Sequence, residues 1–454
     1  MNLVFFSIRT KGIHNFARRL ATVFTRFGFT EMPTRRALRT LVDSLREYEA
    51  APTFFIPAVV LGRHPALLAE IAGSGAEIGI HGYVHNDYRT LSGREQYVQT
   101  EKAIDVFKKT DMAFEGFRNP YLGWTEESLE VFSQLGFTYD SNDAVLHEVV
   151  DLDEFSPLLQ SGYAKSLELF QAVSCSAYAL RPYFSGKILR IPTSIPDDEM
   201  LFDRLRVTNA QVGEIWSSVM RRVYDLGGLY TLNLHPERAV LCKPALQALL
   251  ATSQEQPLPV WVSSLKDIAA WWKERSQFRW RITSQSADRW LIEAECTSRA
   301  TVVARNVAIE DCTTTPWFKG NVRVEAQTFT VQSTHCPCIG VSPQCPQEID
   351  DFLYEQGYPF MRCSPEDAHK DGEPAPQYAY YLDVPEGLGT TREEQLQRKS
   401  KIVHQIEALD TPFVSFGCWP DGRRAALSIT GDIDSVTVQD FFLRIVEVLK
   451  FSPA

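Results

Sequence analysis

The chain has 454 residues, of which 44% are hydrophobic and 23% are charged, proportions typical of soluble globular proteins. At about 150 residues per domain this length predicts roughly three domains, and the composition excludes a collagen-like or wholly disordered chain. Lysine and arginine number 46 against 57 aspartates and glutamates, and the resulting formal net charge of -11 argues against a protein that coats nucleic acid.

Targeting signals are not evident in the sequence. No run of 18 apolar residues predicts a membrane-spanning helix. The apolar run at residues 3–6 is shorter than the core of a secretory signal and stops before Arg9. We therefore expect a cytoplasmic protein with no membrane span and no nucleic-acid partner.

Cysteine usage predicts reduced thiols. The chain has 9 cysteines, a number too low for a disulfide scaffold and odd, so they cannot all pair internally. One tight group, Cys336 and Cys338 followed by Cys345, leaves a soft-metal site as the alternative. This spacing lacks the paired CxxC knuckles of a structural zinc site.

The first part of the chain alternates predicted helices and strands. Apolar residues recur at helical spacing over residues 13–27, 34–49, 64–73, 94–109 and 125–135. Short apolar runs typical of buried strands lie at 53–56, 76–80, 114–117 and 136–139. Alternation of this kind favours parallel strands with crossover helices, as in an open α/β sheet or a β/α barrel.

The pattern changes after about residue 276. Short segments with period-2 alternation predict a small antiparallel β unit over roughly 276–333. The remaining predicted elements are a helix at 346–357, a turn-prone stretch at 364–394, a helix at 395–408, a buried strand at 425–430 and a closing helix at 437–449.

Two histidines follow the predicted strand that ends at residue 80. His81 and His85 stand four residues apart, so a helical turn between them would place both rings on one side, where they can bind one cation. This spacing alone is a weak signal, because most HxxxH pairs are unrelated histidines.

Other reactive side chains also follow predicted strands. Arg118 and His235 each come directly after one, and Asp432 and Asp434 follow the strand near the C-terminus. Sites in α/β sheets and barrels assemble at the carboxyl ends of strands. Four such endings with complementary chemistry therefore predict one site more strongly than any of them does alone.

Together these segments resemble the polysaccharide deacetylase family, also called the NodB-homology or carbohydrate esterase family 4 group. The segments that carry the resemblance are the TFF strand at 53–56, the HxxxH motif at 81–85, the R-x-P-Y motif at 118–121 and the late strand-end histidine at 234–235. The resemblance implies an α/β fold built as a distorted (β/α) barrel of deacetylase type. A small β-sandwich-like domain and a small α/β segment would be added to it.

The chain departs from the family at its first motif. The family opens with a strand that ends in an acidic pair, whereas residues 5–11 carry basic and hydroxyl groups. An acidic pair appears instead at Asp432 and Asp434. Our hypothesis is a circular permutation, in which the C-terminal strand lies beside 53–56 and brings these carboxylates to the histidines. The alternatives are a strand supplied by a partner subunit, or aspartates that only cap a helix in a metal-free, inactive domain.

The resemblance also implies a role for each site residue. The implied metal ligands are His81, His85 and Asp434. The implied catalytic groups are Asp432 as general base, His235 as general acid, Arg118 orienting the base, and the Tyr121 backbone at the oxyanion. This ligand set suits Zn²⁺ best and also accepts Co, Mn, Ni or Fe.

The function expected from these residues is metal-dependent removal of N-acetyl groups from an amino sugar or polysaccharide. The alternatives are hydrolysis of small cyclic amides or ureides and an inactive glycan-binding or scaffold protein. We expect a carbohydrate or an N-acetylated small molecule as partner, with a homo-oligomer as a further alternative. The predicted division is a deacetylase-like domain at 1–275, a β domain at 276–340, an α/β or linker region at 341–415, and a strand and helix at 416–454 that complete the first domain.

Overall fold

The computed structural model describes residues 26–364 and 378–451. The predicted helix over 13–27 lies outside the described residues except for its last two positions, and residues 5–11 lie outside them entirely.

The described helices in the first part of the chain are α1 (Met32–Arg46), α2 (Ala58–Arg63), α3 (Pro65–Gly73), α4 (Gly93–Lys109), α5 (Glu126–Gln134), α6 (Pro157–Leu169), α7 (Asn209–Leu226), α8 (Ala239–Gln254) and α9 (Leu265–Arg275). Four of them, α1, α3, α4 and α5, lie close to predicted positions, and the sequence patterns did not predict the other five. In α1 the apolar residues at helical spacing, among them Leu38, Leu41 and Leu45, are all buried. In α4 a capping box between Ser92 and Glu95 fixes the first turn.

A 12-stranded sheet forms the centre of the molecule. Its strands are β1 (Thr53–Ile56), β2 (Glu77–Ile80), β3 (Gly116–Phe117), β4 (Tyr139–Asp140), β5 (Ala144–Leu146), β6 (Val173–Ser174), β7 (Tyr183–Ser185), β8 (Ile188–Arg190), β9 (Thr193–Ile195), β10 (Leu229–Leu234), β11 (Val260–Val262) and β23 (Ala425–Asp432). The order is β6-β5-β9-β10-β23-β1-β2-β3-β4-β8-β7, with β11 beside β23. Every pair is parallel except β7 with β8.

Strand β23 occupies the middle of this sheet although it comes last in the chain. It pairs in parallel with β10 on one side, and its end pairs with β1 on the other, where Phe55 lies opposite Asp432. All eight of its residues are buried, as expected for a strand covered on both faces. Gly431 allows the close packing, because a Cβ atom there would lie within 3.2 Å of atoms of Pro236, Leu234 and Phe54.

Two four-stranded sheets follow the first part of the chain. One is built from β12 (Arg279–Ser286), β13 (Arg289–Glu295), β15 (Ala308–Glu310) and β18 (Thr328–Gln332), and the other from β14 (Val302–Arg305), β16 (Thr314–Pro316), β17 (Val322–Val324) and β22 (Phe413–Phe416). Their pairings are antiparallel, as the period-2 pattern predicts. Buried residues of both sheets, such as Ile292 and Val302, belong to one apolar cluster.

A third, parallel sheet contains β19 (Cys336–Val341), β20 (Phe360–Arg362) and β21 (Tyr378–Leu382). It is accompanied by α10 (Gln347–Glu355) and α11 (Arg392–Glu407), and the last helix, α12 (Val438–Phe451), follows β23. The prediction of turns throughout 364–394 is wrong at β21. That strand is a short aromatic run inside a Pro- and Gly-rich stretch, and its pairing with β19 outweighs the turn-forming residues around it.

The fold is therefore mixed α/β with a large curled sheet. Among the described residues the strand path ends at β6 and at β7, so the predicted distorted barrel is a half-barrel that remains open. The antiparallel strand β7 forms one edge of this sheet. None of the described helices combines the length and the apolar character that crossing a membrane requires. The division into domains and the cytoplasmic location stay predictions.

Candidate active site

Four strands of the main sheet bring the predicted site residues to one edge of the sheet. His81 follows β2, Arg118 follows β3 and His235 follows β10. Asp432 is the last residue of β23, which lies between β10 and β1. Because these strands are parallel, their carboxyl ends meet at the same edge, which is where open α/β sheets place their sites.

The two histidines are joined by a bent loop and not by the helical turn that would explain their spacing. Residues 81–87 contain no helix, and Gly82 has a φ of 83°, in the region that favours glycine. The Gly82 carbonyl accepts a hydrogen bond of 2.9 Å from the Ala58 amide, which ties the loop to α2. The backbone turn, and not helical periodicity, therefore places both rings on one side.

Asp434 completes a cluster with these histidines. Its Oδ1 atom lies 3.6 Å from Nε2 of His81 and 3.2 Å from Nε2 of His85. Nδ1 of His81 donates to the Arg118 carbonyl at 2.7 Å, which leaves the Nε2 lone pair facing the carboxylate. Burial is the main reason that the pKa of His81 is lowered to about 4, so this imidazole is neutral at physiological pH, as a metal ligand must be.

The cluster has the chemistry of a divalent-cation site. Oδ1 of Asp434 is buried, and apart from the two imidazoles that face it no hydrogen-bond donor within the described part of the chain reaches it. A buried carboxylate oxygen without a donor is costly, and a cation held between it and two imidazoles would remove that cost. The residues present therefore fit a metal such as Zn²⁺.

Asp432 is held at both carboxylate oxygens. Oδ1 accepts from Nη1 of Arg118 at 3.1 Å, and Oδ2 accepts from the Asn233 amide at 2.9 Å. The same Arg118 nitrogen also donates to Oδ1 of Asn233 at 2.7 Å. The three side chains form a closed network that fixes the Asp432 carboxylate beside the metal-binding cluster.

Arg118 is fully buried, and polar groups satisfy its guanidinium. Nε donates to the Ser141 carbonyl at 3.1 Å and Nη2 to the Ser141 hydroxyl at 2.9 Å. Its guanidinium also stands over the Phe55 ring, 4.4 Å from the centroid. A buried arginine with this many partners is a fixed part of the site, in contrast to a surface ion pair.

His235 is paired with an aspartate to which the sequence assigned no role. Nδ1 of His235 lies 2.7 Å from Oδ1 of Asp198, and the His235 amide donates to Oδ2 of Asp198 at 3.0 Å. Burial alone would lower the pKa of His235, but the Asp198 carboxylate outweighs it and holds this pKa well above its usual value. The imidazolium is therefore the favoured form, as a general acid requires.

The neighbouring Asp197 completes a second group of potential ligands with Asp198 and His235. Burial, followed by the nearby charge of Asp198, raises the pKa of Asp197 to about 7. Its Oδ1 accepts a hydrogen bond of 2.8 Å from the Met200 amide. A single proton on Asp197 near neutral pH reduces the repulsion between these adjacent carboxyl groups.

Tyr121 lies at the mouth of the site. Its backbone has a φ of 59°, an unusual conformation for a residue other than glycine, and such strain often accompanies functional loops. Its ring stands edge-on against His85, with centroids 4.8 Å apart. The loop that carries the R-x-P-Y motif therefore contacts the metal-binding cluster directly.

Three residues of this site were not identified from the sequence. They are Asn233, which bonds Asp432; Asp198, which bonds His235; and Arg444, whose Nη1 lies 2.6 Å from Oδ2 of Asp434. Asn233 has a local sequence signal, since it is a polar side chain within the buried strand that precedes His235. Asp198 follows a strand, as the predicted site residues do, but its pairing with His235 and the approach of Arg444 to Asp434 arise only from the folding of distant segments.

The cysteine alternative is not supported by the geometry. Sulfur atoms of Cys336 and Cys338 lie 3.3 Å apart, but the Cys345 sulfur bonds the Leu382 carbonyl and the Val384 amide. Among the described residues, the groups that could hold a metal are the His81 cluster and the Asp198 group.

Comparison with protein families finds a match to the sequence of this chain. Residues 28–139 match the sequence model of the polysaccharide deacetylase family, so the predicted resemblance is confirmed. That segment contains His81, His85, Arg118 and Tyr121 and ends well before Asp432. The match therefore does not extend to the proposed permutation.

Individual relatives are distant. The peptidoglycan deacetylase-like protein FGM2 of Gibberella zeae is 33% identical over 119 residues, which is 25% of this chain and 34% of that protein. The chain thus matches about a third of the length of that curated relative. Among solved structures, a candidate polysaccharide deacetylase from Mycobacterium smegmatis is 21% identical with a TM-score of 0.40 over 52% of this chain and 76% of that one. A CE4 family pseudoenzyme from Bacillus anthracis is 12% identical with a TM-score of 0.28, over 52% of this chain and 61% of that one.

Proposed function

We propose that this chain, which carries a polysaccharide deacetylase segment, is a metal-dependent amide hydrolase that removes acetyl groups from an N-acetylated amino sugar or polysaccharide. One observation carries the proposal. Oδ1 of Asp434 lies within 3.6 Å of the Nε2 atoms of His81 and His85 and accepts no other hydrogen bond from the described residues. Beside it stands Asp432, whose two carboxylate oxygens both accept hydrogen bonds. An inactive scaffold has no need for this costly arrangement of buried polar groups.

The ligands of the proposed metal centre are His81, His85 and Asp434. When bound there, the cation supplies Lewis acidity, which polarises the acetamide carbonyl and makes water a better nucleophile at neutral pH. Two imidazoles and one carboxylate leave coordination positions open for water and substrate, as in other catalytic sites.

Asp432 is the proposed general base. It accepts the proton of the attacking water, and each of its oxygens retains a lone pair beyond those used by Arg118 and Asn233. These two donors fix the direction in which the carboxylate faces. A general base held in a fixed position is more efficient than one on a side chain that moves freely.

His235 is the proposed general acid. Since Nδ1 is engaged by Asp198, the proton available to the leaving group is the one on Nε2. It passes to the amine nitrogen as the carbon–nitrogen bond breaks, so that acetic acid and a neutral amine are released. Transfer of the proton held by Asp432 to His235 through solvent then restores both groups. The Tyr121 backbone amide donates to the oxyanion of the tetrahedral intermediate, the role typical of a fixed dipole near developing charge.

The proposed permutation explains how the acidic pair reaches the histidines. Strand β23 lies beside β1, and its acidic end is level with the end of the TFF strand. In this view β23 takes the place of the family's opening acidic strand, and the chain supplies it in cis from its C-terminal end.

The proposal is tested by replacing one ligand and the base separately. We expect the purified chain to contain about one divalent ion per molecule and to release acetate from N-acetylated oligosaccharides. Asp434→Asn would lose both the metal and the release of acetate, because one of the three metal ligands is removed. Asp432→Asn would keep the metal and lose activity by a factor of about 10² to 10⁴, the usual contribution of a general base.

Metal analysis and an acetate assay on the same preparations read out the two predictions. Asp421→Asn is the matched control, because this exposed aspartate pairs with Arg423 away from the site. Metal content that survives Asp434→Asn would contradict the assigned centre. Metal binding combined with hydrolysis of small cyclic imides, but not of acetylated sugars, would keep the centre and change the substrate.

A further inference from the structure

The closing helix α12 carries an arginine into the candidate metal centre. Nη1 of Arg444 lies 2.6 Å from Oδ2 of Asp434, and the side chains are 23% and 16% exposed. Oδ2 is thus occupied by the arginine, whereas Oδ1 faces the two imidazoles. The two oxygens of one carboxylate have separate partners.

Helix α12 is itself held firmly against the body of the molecule. Nε of Arg63 donates to Asp440 at 2.6 Å, and Nη1 of the same arginine donates to Glu447, also at 2.6 Å. Asp440 also lies 2.8 Å from Nε2 of His64 and accepts from the Thr437 amide at the start of the helix. Arg444 lies between these two anchored acids in the sequence, so its backbone has a fixed position.

We propose that Arg444 is a positioning residue for the metal centre. Its guanidinium restrains Asp434 so that only Oδ1 is presented to a cation, and Oδ2 is unable to become a second ligand. A carboxylate that binds through one oxygen leaves a coordination position open for water or substrate. This inference rests on the proposed function, because it requires that His81, His85 and Asp434 bind metal.

Two physical effects of Arg444 act in opposite directions, and their balance gives a definite expectation. The guanidinium charge repels a cation, so its removal alone would tighten metal binding. Its hydrogen bond orients the ligand, and loss of an outer partner of a metal ligand typically weakens binding by about 10- to 100-fold. We expect orientation to dominate, since Asp434 has no hydrogen bond at Oδ1 within the described residues to replace the restraint.

The test is a Co²⁺ titration of the full chain after chelation of its metal, followed by visible absorption. We expect Arg444→Met to weaken Co²⁺ binding by about 10- to 100-fold. Arg444→Lys keeps a charged donor without the planar fork, and we expect an intermediate affinity. Arg46→Met is the matched control, because it removes an exposed arginine that pairs with Asp43 on α1 and not with Asp434.

The outcomes separate this inference from the proposed function. Weakened binding in Arg444→Met, with Arg46→Met near the unsubstituted chain, supports the positioning role. Co²⁺ affinity in Arg444→Met equal to or tighter than that of the unsubstituted chain overturns that role and leaves the metal centre intact. A chain that binds no Co²⁺ before any substitution overturns the proposed function and this inference together. Circular dichroism checks folding, and Arg444→Gln replaces the methionine variant if that variant does not fold.

Discussion

Two histidines at the same sheet edge are held in opposite protonation states by their neighbours. His81 is buried and donates to a backbone carbonyl, and burial lowers its pKa to about 4. His235 is also desolvated, but the carboxylate of Asp198 overcomes that effect and raises its pKa. One imidazole is therefore suited to bind a cation and the other to donate a proton.

Replacing Asp198 by asparagine should move the pH dependence of activity. In Asp198→Asn the pKa of His235 falls, because the opposing charge is lost while burial remains. A general acid must be protonated, so the alkaline limb of the profile of kcat/KM against pH should shift to lower pH by about 1–3 units. Asp203→Asn is the control, since Asp203 pairs with Arg26 and Arg238 instead of His235. An alkaline limb that stays in place in Asp198→Asn would remove His235 from the acid role.

Among the elements, α12 is attached by charged groups more than by apolar packing. Phe442, Ile445, Val446 and Leu449 on this helix are all exposed by 40% or more. His64 lies 2.7 Å from Glu31 of the segment before α1 and 2.8 Å from Asp440 of α12. Burial lowers the pKa of His64, but the hydrogen bonds and charges of these two acids raise it by more than burial lowers it. The net change in this pKa is therefore upward.

The stabilising effect of His64 should therefore depend on pH in a defined direction. A raised folded-state pKa contributes stability that is fully present below the unfolded pKa of about 6.5 and is lost as pH rises through the folded value. We expect His64→Gln to lower the free energy of unfolding more at about pH 5.5 than at about pH 8.5. Urea unfolding at both pH values measures this loss of unfolding free energy. Equal losses for His64→Gln at both pH values would contradict the expectation.

Across the whole molecule, the segment between the two parts of the main sheet is connected to the loop that carries the R-x-P-Y motif, residues 118–121. Arg392 of α11 donates to Asp143 at 2.6 Å, and Asp143 also bonds Arg190 at 3.1 Å. Arg190 in turn bonds Asp140, whose other oxygen accepts from Asn142 at 2.8 Å.

Asn142 completes this series of contacts at the loop that carries the R-x-P-Y motif. Its side-chain oxygen accepts from the amide of Asn119, the residue directly after Arg118, at 2.6 Å. Trp124 lies between the two arginines, 3.8 Å from Arg190 and 5.1 Å from Arg392, measured to the ring centroid. The added segment thus supports the loop that carries the R-x-P-Y motif.

Arg392→Met should lower the rate of acetate release without abolishing the fold. The substitution leaves a buried acid, Asp143, with one cation fewer, a change that typically costs about 1–3 kcal/mol. We expect thermal unfolding to occur at a lower temperature and kcat to fall. Arg398→Met is the matched control on α11, because Arg398 contacts Glu386 and Gly387 within the same segment. Equal kcat values for the two variants would show that the added segment does not support the loop.

Local sequence patterns predicted several elements of the fold and several residues of the candidate site. Helical and strand periodicities located the elements from α1 to β4, apart from α2, because amphipathic helices and buried strands are encoded by residues a few positions apart. The HxxxH and R-x-P-Y motifs identified His81, His85, Arg118 and Tyr121 for the same reason. Each is a local arrangement that directly follows a strand.

Only the tertiary structure decided which distant groups meet. Strand β23 joins β1 across more than 370 positions of sequence, and the partners of Asp434, Asp432 and His235 come from α12, β10 and the loop after β9. Strand pairing depends on how a whole sheet buries its faces and aligns its hydrogen bonds, and no local pattern specifies the neighbour of a strand. The sequence therefore determined which chemical groups this protein has, and the order of strands in the sheet decided which of them lie together.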